Sequence, residues 1–305
     1  MKETRISSPE KPLGNTAVML GLTYRCQCKC DHCGVDLQRK KNKPELTNEN
    51  VLNIIDDCAR LGVWVIYFFG GEPLIVPEIT DYIKYAADRG IRACLDTNGF
   101  LLDENMVKRL KDSGTILVRV SIDSPYEQEH DSLRGVKGIF RKAVNGLDLC
   151  RAYKIETSVS AYATKKNLKN GDLQKIILLA KENGAKVRLL SSICSGKWEN
   201  KENVALSNDE IQTLKSLLEK DLVSWERLDS KDQAFRCHAT MKELVHITPY
   251  GDVQPCCFFH AVAGNIHEEP LGIIVKRMWL SSLFDSPYMG DCPANSKEFV
   301  NKYIM

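Results

Sequence analysis

The 305-residue sequence predicts an α/β fold: a partial parallel (β/α)6 barrel followed by a small C-terminal α+β domain. Three observations predict it. Six apolar runs of strand length recur between residues 17 and 192, amphipathic helical patterns with glycine stops fill the gaps, and the alternation breaks past residue 200. Near-continuous apolar strands are what a parallel sheet covered on both faces requires, and βα alternation predicts a functional site at the carboxyl ends of the strands.

The strands are read at AVMLGLT (17–23), VWVIYFF (63–69), IRACLDT (91–97), ILVRVSI (116–122), IETSVSA (155–161) and KVRLLSS (186–192). The clearest helix is LTNENVLNIIDDCARLG: Thr47 is its N-cap, Leu46 and Val51 make a hydrophobic staple, apolar residues recur at 51, 54, 55, 58 and 61, and Gly62 stops it. Similar patterns fill 78–89, 103–112, 139–152 and 172–183. Past 200, the helix-like SNDEIQTLKSLLEK leads into KELVHITPYGDVQPCC, which reads as a hairpin turning at Pro249–Gly251. The boundaries are therefore an N-terminal extension (1–16), the barrel (17–200), a helical linker (201–235) and the small domain (236–305).

With 43% hydrophobic residues the chain can bury a large core. Its 42 basic and 40 acidic residues nearly cancel, so the charge shows no nucleic-acid footprint. The charged start lacks the apolar centre of a signal peptide, and the run VWVIYFF is too short to span a bilayer. These features predict a soluble cytoplasmic protein without a membrane or nucleic-acid partner. Twelve cysteines then call for metal, cluster or thiol chemistry, because the cytosol keeps thiols reduced. Cys58, Cys94 and Cys150 fall on apolar positions and read as small buried hydrophobes; Cys194 is less clear.

The strongest chemical signal is CQCKCDHC, which spaces Cys26, Cys30 and Cys33 as C-x3-C-x2-C just after the first strand. Three thiolates on a short loop suit three irons of a four-iron cluster and leave the fourth iron open. A zinc site is the alternative, but zinc commonly takes four ligands as two C-x2-C pairs, and one such pair is present here. Cys28 breaks the spacing and is not read as a ligand.

This loop, on a predicted βα barrel, resembles the radical S-adenosylmethionine (radical SAM) superfamily. The resemblance implies that Cys26, Cys30 and Cys33 hold a [4Fe-4S] cluster whose open iron is chelated by SAM. His32 takes the position of an aromatic near the adenine. FFGGEP, ending the second strand, is similar to the family's GGEP motif, with Gly70, Gly71, Glu72 and Pro73 presenting backbone carbonyls and a carboxylate to the SAM ammonium. DTNGF (96–100), VSIDSPYEQEHDSLRG (120–135) and ATKKN (163–167) resemble later strand ends. They make Asn98, Ser121, Asp123 and Arg134 candidates for SAM or substrate, with loop capping or an ion pair as the structural alternative.

In the tail, Cys237 and Cys256 frame a C-x13-G-x4-C pattern that resembles the SPASM or twitch extension of these enzymes. The resemblance implies an auxiliary [4Fe-4S] cluster. A full SPASM tail is denser in cysteine, so the lone Cys292 points to the shorter twitch form, with Cys237, Cys256 and Cys292 as ligands of one cluster. Neighbouring strand residues face opposite ways, so Cys257 does not readily share a cluster with Cys256. It is left as a buried spectator, a hydrogen-atom donor or a strained fourth ligand.

The family's chemistry implies reductive cleavage of SAM to a 5′-deoxyadenosyl radical that takes hydrogen from a peptide or small polyol. The electron would come from a flavodoxin- or ferredoxin-type donor. Epimerisation, dehydrogenation and cross-linking remain open, as do a nucleotide substrate and a non-catalytic electron-transfer or sensor role.

Overall fold

All six apolar runs become strands: β1 Ala17–Thr23, β2 Val65–Gly70, β3 Arg92–Thr97, β4 Leu117–Ser121, β5 Glu156–Ala163 and β6 Lys186–Ser191. They lie parallel and side by side in chain order. The computed structural model describes residues 12–41, 43–199, 201, 204–226, 236–285 and 292–304. The extension as far as residue 11 and the linker stretch 227–235 lie outside the described residues.

Four shorter strands extend this sheet. β7 Val223–Trp225 pairs parallel with β6; β8 Leu244–Ile247 pairs parallel with β1; β9 Asp252–Gln254 and β10 Gly264–Asn265 continue outward as antiparallel neighbours. The order β10-β9-β8-β1-β2-β3-β4-β5-β6-β7 leaves an open sheet. The expected hairpin is therefore present, and it is seated on the edge of β1. Every residue of β1 is buried, as a strand flanked on both sides and covered on both faces must be.

The helices follow the apolar periodicity. Asn48–Leu61 starts at Thr47, whose hydroxyl accepts from the Asn50 amide while the Asn50 side chain accepts from the Thr47 amide, and it ends at Gly62 with φ 82°. That left-handed stop favours glycine. Ile79–Asp88, Glu104–Asp112, Ile139–Ala152 and Asp172–Glu182 fill the remaining gaps. The linker helix runs Asn208–Ser216. Five helices have no counterpart in the sequence reading: the short Asp36–Arg39 and Lys165–Lys169, Glu127–Arg134 inside a stretch taken for a strand end, and Leu271–Trp279 and Lys297–Ile304 in the tail. Among the described residues no helix is long and apolar enough to cross a membrane.

Glu127–Arg134 buries His130 completely, and the ring's Nδ1 accepts from the Asp123 amide at 3.1 Å. Burial, with Arg134 beside it, pulls the His130 pKa down to about 4. The unfolded chain takes up a proton near 6.5 that the fold resists, so this ring's contribution to stability is full above about pH 6.5 and is lost as pH falls toward 4. The size of the loss is on the order of 3 kcal/mol at most. His130→Asn keeps an acceptor for the Asp123 amide but cannot titrate. Urea unfolding at neutral pH and at about pH 5 is expected to show a shallower acid loss in the variant than in the parent.

Candidate active site

The loop leaving β1 carries Cys26, Cys30 and Cys33, all half-buried, and it is fastened at both ends and in the middle by other strand-end loops. At its start, the Gly71 amide donates to the Thr23 carbonyl (2.7 Å) and the Glu72 amide to the Arg25 carbonyl (3.0 Å). In the middle, the Lys29 and Asp31 amides donate to the Arg134 and Leu133 carbonyls at 2.9 and 3.0 Å. At the end, the Lys197 amide donates to the Cys33 carbonyl at 3.0 Å. Glu45 adds a side-chain tie, accepting from the Thr23 hydroxyl and the Tyr24 amide at 2.8 Å each.

Two of these fastenings depend on missing side chains. Gly71 packs so tightly that a Cβ there would run into the Arg25 carbonyl oxygen, and a Cβ on Gly70, whose φ is 136°, would meet that of Thr23. Gly196, with φ 58°, abuts the Cys33 and Gly34 backbone in the same way. The Gly-Gly turn is thus needed by the cysteine loop itself, beyond any need for close approach to a ligand.

All twelve cysteines are free thiols. Hydrogen bonding from the Cys28 thiol draws both Cys26 and Cys30 down to about 6 and leaves Cys28 strongly protonated. Burial raises Cys33, whose sulfur lies 3.9 Å from the Arg39 guanidinium. Two sulfurs poised to lose protons, with a cation at the third, form a donor set suited to a metal cluster. Among the described residues no three His, Cys, Asp or Glu side chains are grouped closely enough to hold a single metal ion.

The predicted residues divide into those that meet a common cavity of about 300 Å³ and those beneath it. Gly70, Gly71, Asn98, Ser121, His32 and Arg134 line the cavity with the three loop cysteines. The Asn98 amide reaches the Cys26 sulfur at 3.7 Å. The Glu72 carboxylate does not reach the cavity. It is fully buried and accepts from the Thr97 hydroxyl (2.7 Å), the Asn98 amide (2.8 Å) and the Leu74 amide (3.1 Å). Burial lifts its pKa to about 7. Pro73 opens the buried turn Pro73–Ile75 below it. Glu72 therefore braces the strand ends from underneath, while Gly70 and Gly71 line the cavity.

Asp123 also lies beneath the wall. Its Oδ2 takes both Nε and a terminal nitrogen of Arg134 at 2.7 Å, with His32 Nε2 at 3.5 Å, while its Oδ1 has no partner. The neighbouring Arg134 and His32 charges outweigh burial and hold its pKa near 2. The expected carboxylate partner of Arg134 is thus a protein carboxylate, because two charges buried this deeply must neutralise each other. His32 stands 5.0 Å from the Tyr162 ring and 5.8 Å from that of Trp198. This aromatic corner was not read from the sequence, since Tyr162 and Trp198 lie outside the motifs and meet only through the fold.

The tail brings a second set of thiols to the same cavity, whose walls include Cys237, Cys256, Cys257 and Cys292. The two neighbouring cysteines have different surroundings. Cys256 feels Cys237, whereas Cys257 feels Glu226 and Arg188 and is pushed by burial up to about 12. Arg188 bridges Glu226 (3.1 Å) and Asp96 (3.9 Å), which line this wall as well. Asp96 opens the DTNGF stretch, yet only Asn98 was singled out there. The Cys194 amide donates to Asn295 Oδ1 at 2.9 Å and so ties the loop after β6 to the turn following Cys292.

Comparison with known proteins agrees with this arrangement. The family model of the radical SAM superfamily matches residues 20–180, and that of the SPASM iron-sulfur cluster-binding domain matches 237–293. The chain is 33% identical over 207 residues to an Fe-coproporphyrin III synthase of Methanosarcina barkeri, which covers 68% of this chain and 50% of that protein. It thus spans about half the length of that relative. It is 25% identical over 289 residues to a PqqA peptide cyclase of Gluconobacter oxydans, covering 91% of this chain and 79% of the cyclase. Among solved structures, Streptococcus suis SuiB bound to precursor peptide SuiA superposes with a TM-score of 0.69 at 15% identity, over 88% of this chain and 65% of SuiB. At that identity the likeness is one of fold.

The two families bring a [4Fe-4S] cluster, SAM and auxiliary iron-sulfur binding with them. Because the matched region takes in more than half of the chain, and holds both the cysteine loop and the Gly-Gly turn, this chain belongs to the radical SAM superfamily and carries a SPASM domain in its tail.

Proposed function

We propose that this chain is a cytoplasmic radical SAM enzyme that abstracts hydrogen from a C–H bond of a peptide and returns it from Cys257, inverting the carbon. Cys26, Cys30 and Cys33 would hold the SAM-binding [4Fe-4S] cluster, and Cys237, Cys256 and Cys292 one auxiliary cluster. When bound, cluster and SAM supply one-electron cleavage of SAM and a hydrogen-abstracting adenosyl radical.

The observation that carries this reading is the opening of both thiol sets onto one cavity, whose wall also holds Arg188 and Glu226. The rest of the work falls to the chain's own groups. Gly70 and Gly71 carbonyls orient the SAM ammonium, Ser121 and Asn98 offer polar contacts at the wall, and His32 with Tyr162 and Trp198 gives an apolar corner for the adenine. The buried Asp123–Arg134 pair fixes the His32 ring. A radical is quenched in open solvent, so these walls also serve to exclude water.

Hydrogen return from Cys257 breaks S–H and forms C–H, leaving a thiyl radical that one electron and one proton from outside restore. Burial suits this step, because it keeps the sulfur as the thiol that has a hydrogen atom to give. A peptide substrate is supported by the PqqA cyclase among the relatives and the peptide-bound SuiB fold. A small polyol, or a dehydrogenation, fits the same cavity if Cys257 is silent. A second reading, an iron porphyrin substrate, draws on the coproporphyrin synthase relative and on Arg188 and Arg236 in the wall, which suit carboxylates.

Two experiments test the reading. Anaerobic protein given SAM and a strong reductant is expected to form 5′-deoxyadenosine, and Cys30→Ala to lose this product together with only the first cluster's share of the iron-sulfur absorbance. Failure of the parent to cleave SAM under any reducing condition would leave an electron-transfer or sensor role. With a peptide substrate that the parent modifies, Cys257→Ala is expected to keep SAM cleavage while losing the deuterium that the parent takes up from heavy water. Unchanged deuterium uptake would remove Cys257 as the donor, and loss of the tail cluster in the variant would make it a ligand.

A further inference from the structure

We propose that the Cys28 thiol tunes the reduction potential of the cluster held by the loop, donating a hydrogen bond to the sulfurs of Cys26 and Cys30. The inference rests on the radical SAM reading, because it needs those two sulfurs on iron. It gives a role to the one loop cysteine that the ligand spacing leaves over.

Cys28 is the most deeply placed thiol of the loop: it is 1% exposed, whereas Cys26, Cys30 and Cys33 are half-buried. It lines the cavity together with them. Its amide donates to the Cys26 sulfur at 3.4 Å, and its side chain bonds to the sulfurs of both Cys26 and Cys30. The backbone on either side is pinned. The Cys28 carbonyl accepts from Arg39 at 3.5 Å, the Lys29 amide donates to the Arg134 carbonyl at 2.9 Å, and the Gln27 side chain donates to Asn98 Oδ1 at 3.1 Å. A thiol anchored in this way is held against its two acceptors rather than free to turn aside.

The other sulfurs of the loop have donors too. Cys26 also takes the Asn98 side-chain amide at 3.7 Å, and Cys33 takes Arg39 at 3.9 Å. At Cys30 the donor is Cys28. Hydrogen bonds to the ligand sulfurs are one of the levers that set the potential of an iron-sulfur cluster. The reduced cluster holds one more electron on the same ligands, so a donor at the sulfurs stabilises it more than the oxidised form and raises the potential. In a corner this well closed from water, one proton counts for more than it would at the surface. Cys28 makes no bond to iron in this role; it is a positioning residue that acts through two sulfurs. As a fourth thiolate ligand it would instead close the iron that SAM needs.

The test is a redox titration of anaerobic, cluster-loaded protein followed by electron paramagnetic resonance, with the loop cluster's signal identified as the one that changes on adding SAM. Cys28→Ala is expected to lower that cluster's equilibrium constant for reduction about tenfold, a shift of about 59 mV for one electron. Cys28→Ser, which keeps a proton to donate, should stay closer to the parent than to Cys28→Ala. Cys58→Ala, which removes a buried thiol outside the loop, should leave the potential where it is. The proposal is overturned by an unchanged potential in Cys28→Ala, or by an equal shift in Cys28→Ser or Cys58→Ala. Cys28→Val, which fills the space without a donor, repeats the measurement should the alanine variant misfold. Loss of the loop's iron in both of these variants would make Cys28 a ligand and overturn the tuning role. A parent without any SAM-responsive cluster would overturn this proposal and the enzyme reading together. A potential that shifts as expected in a protein unable to cleave SAM would count against the enzyme reading alone.

Discussion

Everything at this site hangs on the backbone grip around residues 23–34. A loop carrying three cysteines within eight residues has little hydrophobic content of its own to order it. The fold orders it by closing its peptide groups onto three other strand ends, at Thr23 and Arg25, at Lys29 and Asp31, and at Cys33. Buried peptide bonds of this kind are costly to leave unmade and therefore act as constraints as much as attractions. The constraint reaches outward, because Gly71 and Gly196 are bound to be glycine by the loop that they press against. The Gly-Gly turn thus packs against the cysteine loop and lines the cavity at the same time.

Beneath this grip, charge is buried in a way that would be unfavourable without partners. The Asp123–Arg134 pair is nearly inaccessible, and such a pair is more persuasive as a positioning device than as a source of stability, since desolvation offsets most of its attraction. Its value lies in geometry: it ties the chain just after β4 to the helix Glu127–Arg134, whose last residues accept the Lys29 and Asp31 amides. Glu72 is handled differently. Three donors surround it, yet burial still pushes its pKa up, so the turn holds a buried carboxyl group close to its balance point.

The parts of this molecule legible in its sequence are those with local causes. Six strands and the main helices followed from apolar periodicity, the cysteine loop from its spacing, and the Gly-Gly turn from its resemblance to a family motif. What the sequence concealed depends on long-range juxtaposition. β7 is three residues long, too short for a periodic signal. Tyr162 on β5, Trp198 in the turn Gly196–Trp198 after β6, and His32 on the cysteine loop form their corner from three separate parts of the chain. Asp96, Arg188 and Glu226 are unremarkable one at a time and become a wall only when β3, β6 and β7 line up. The Glu72 side chain was expected at the cavity because a motif gives the residue but not its rotamer, and the rotamer is set by Thr97 and Asn98 on the next strand.

The tail shows how much a single strand pairing can decide. Had the hairpin folded as a body apart, Cys256 and Cys257 would share one local environment, and their difference would be a matter of sequence alone. Instead β8 adds to the edge of β1, the strand that feeds the cysteine loop, so the hairpin's end arrives at the mouth of the same barrel. Beyond the end of β9 the two thiols then feel different neighbours, Cys256 its companion Cys257 and Cys237, and Cys257 the charges of Glu226 and Arg188. The pairing of β8 with β1 thereby brings four tail cysteines to the cavity that the cysteine loop also lines.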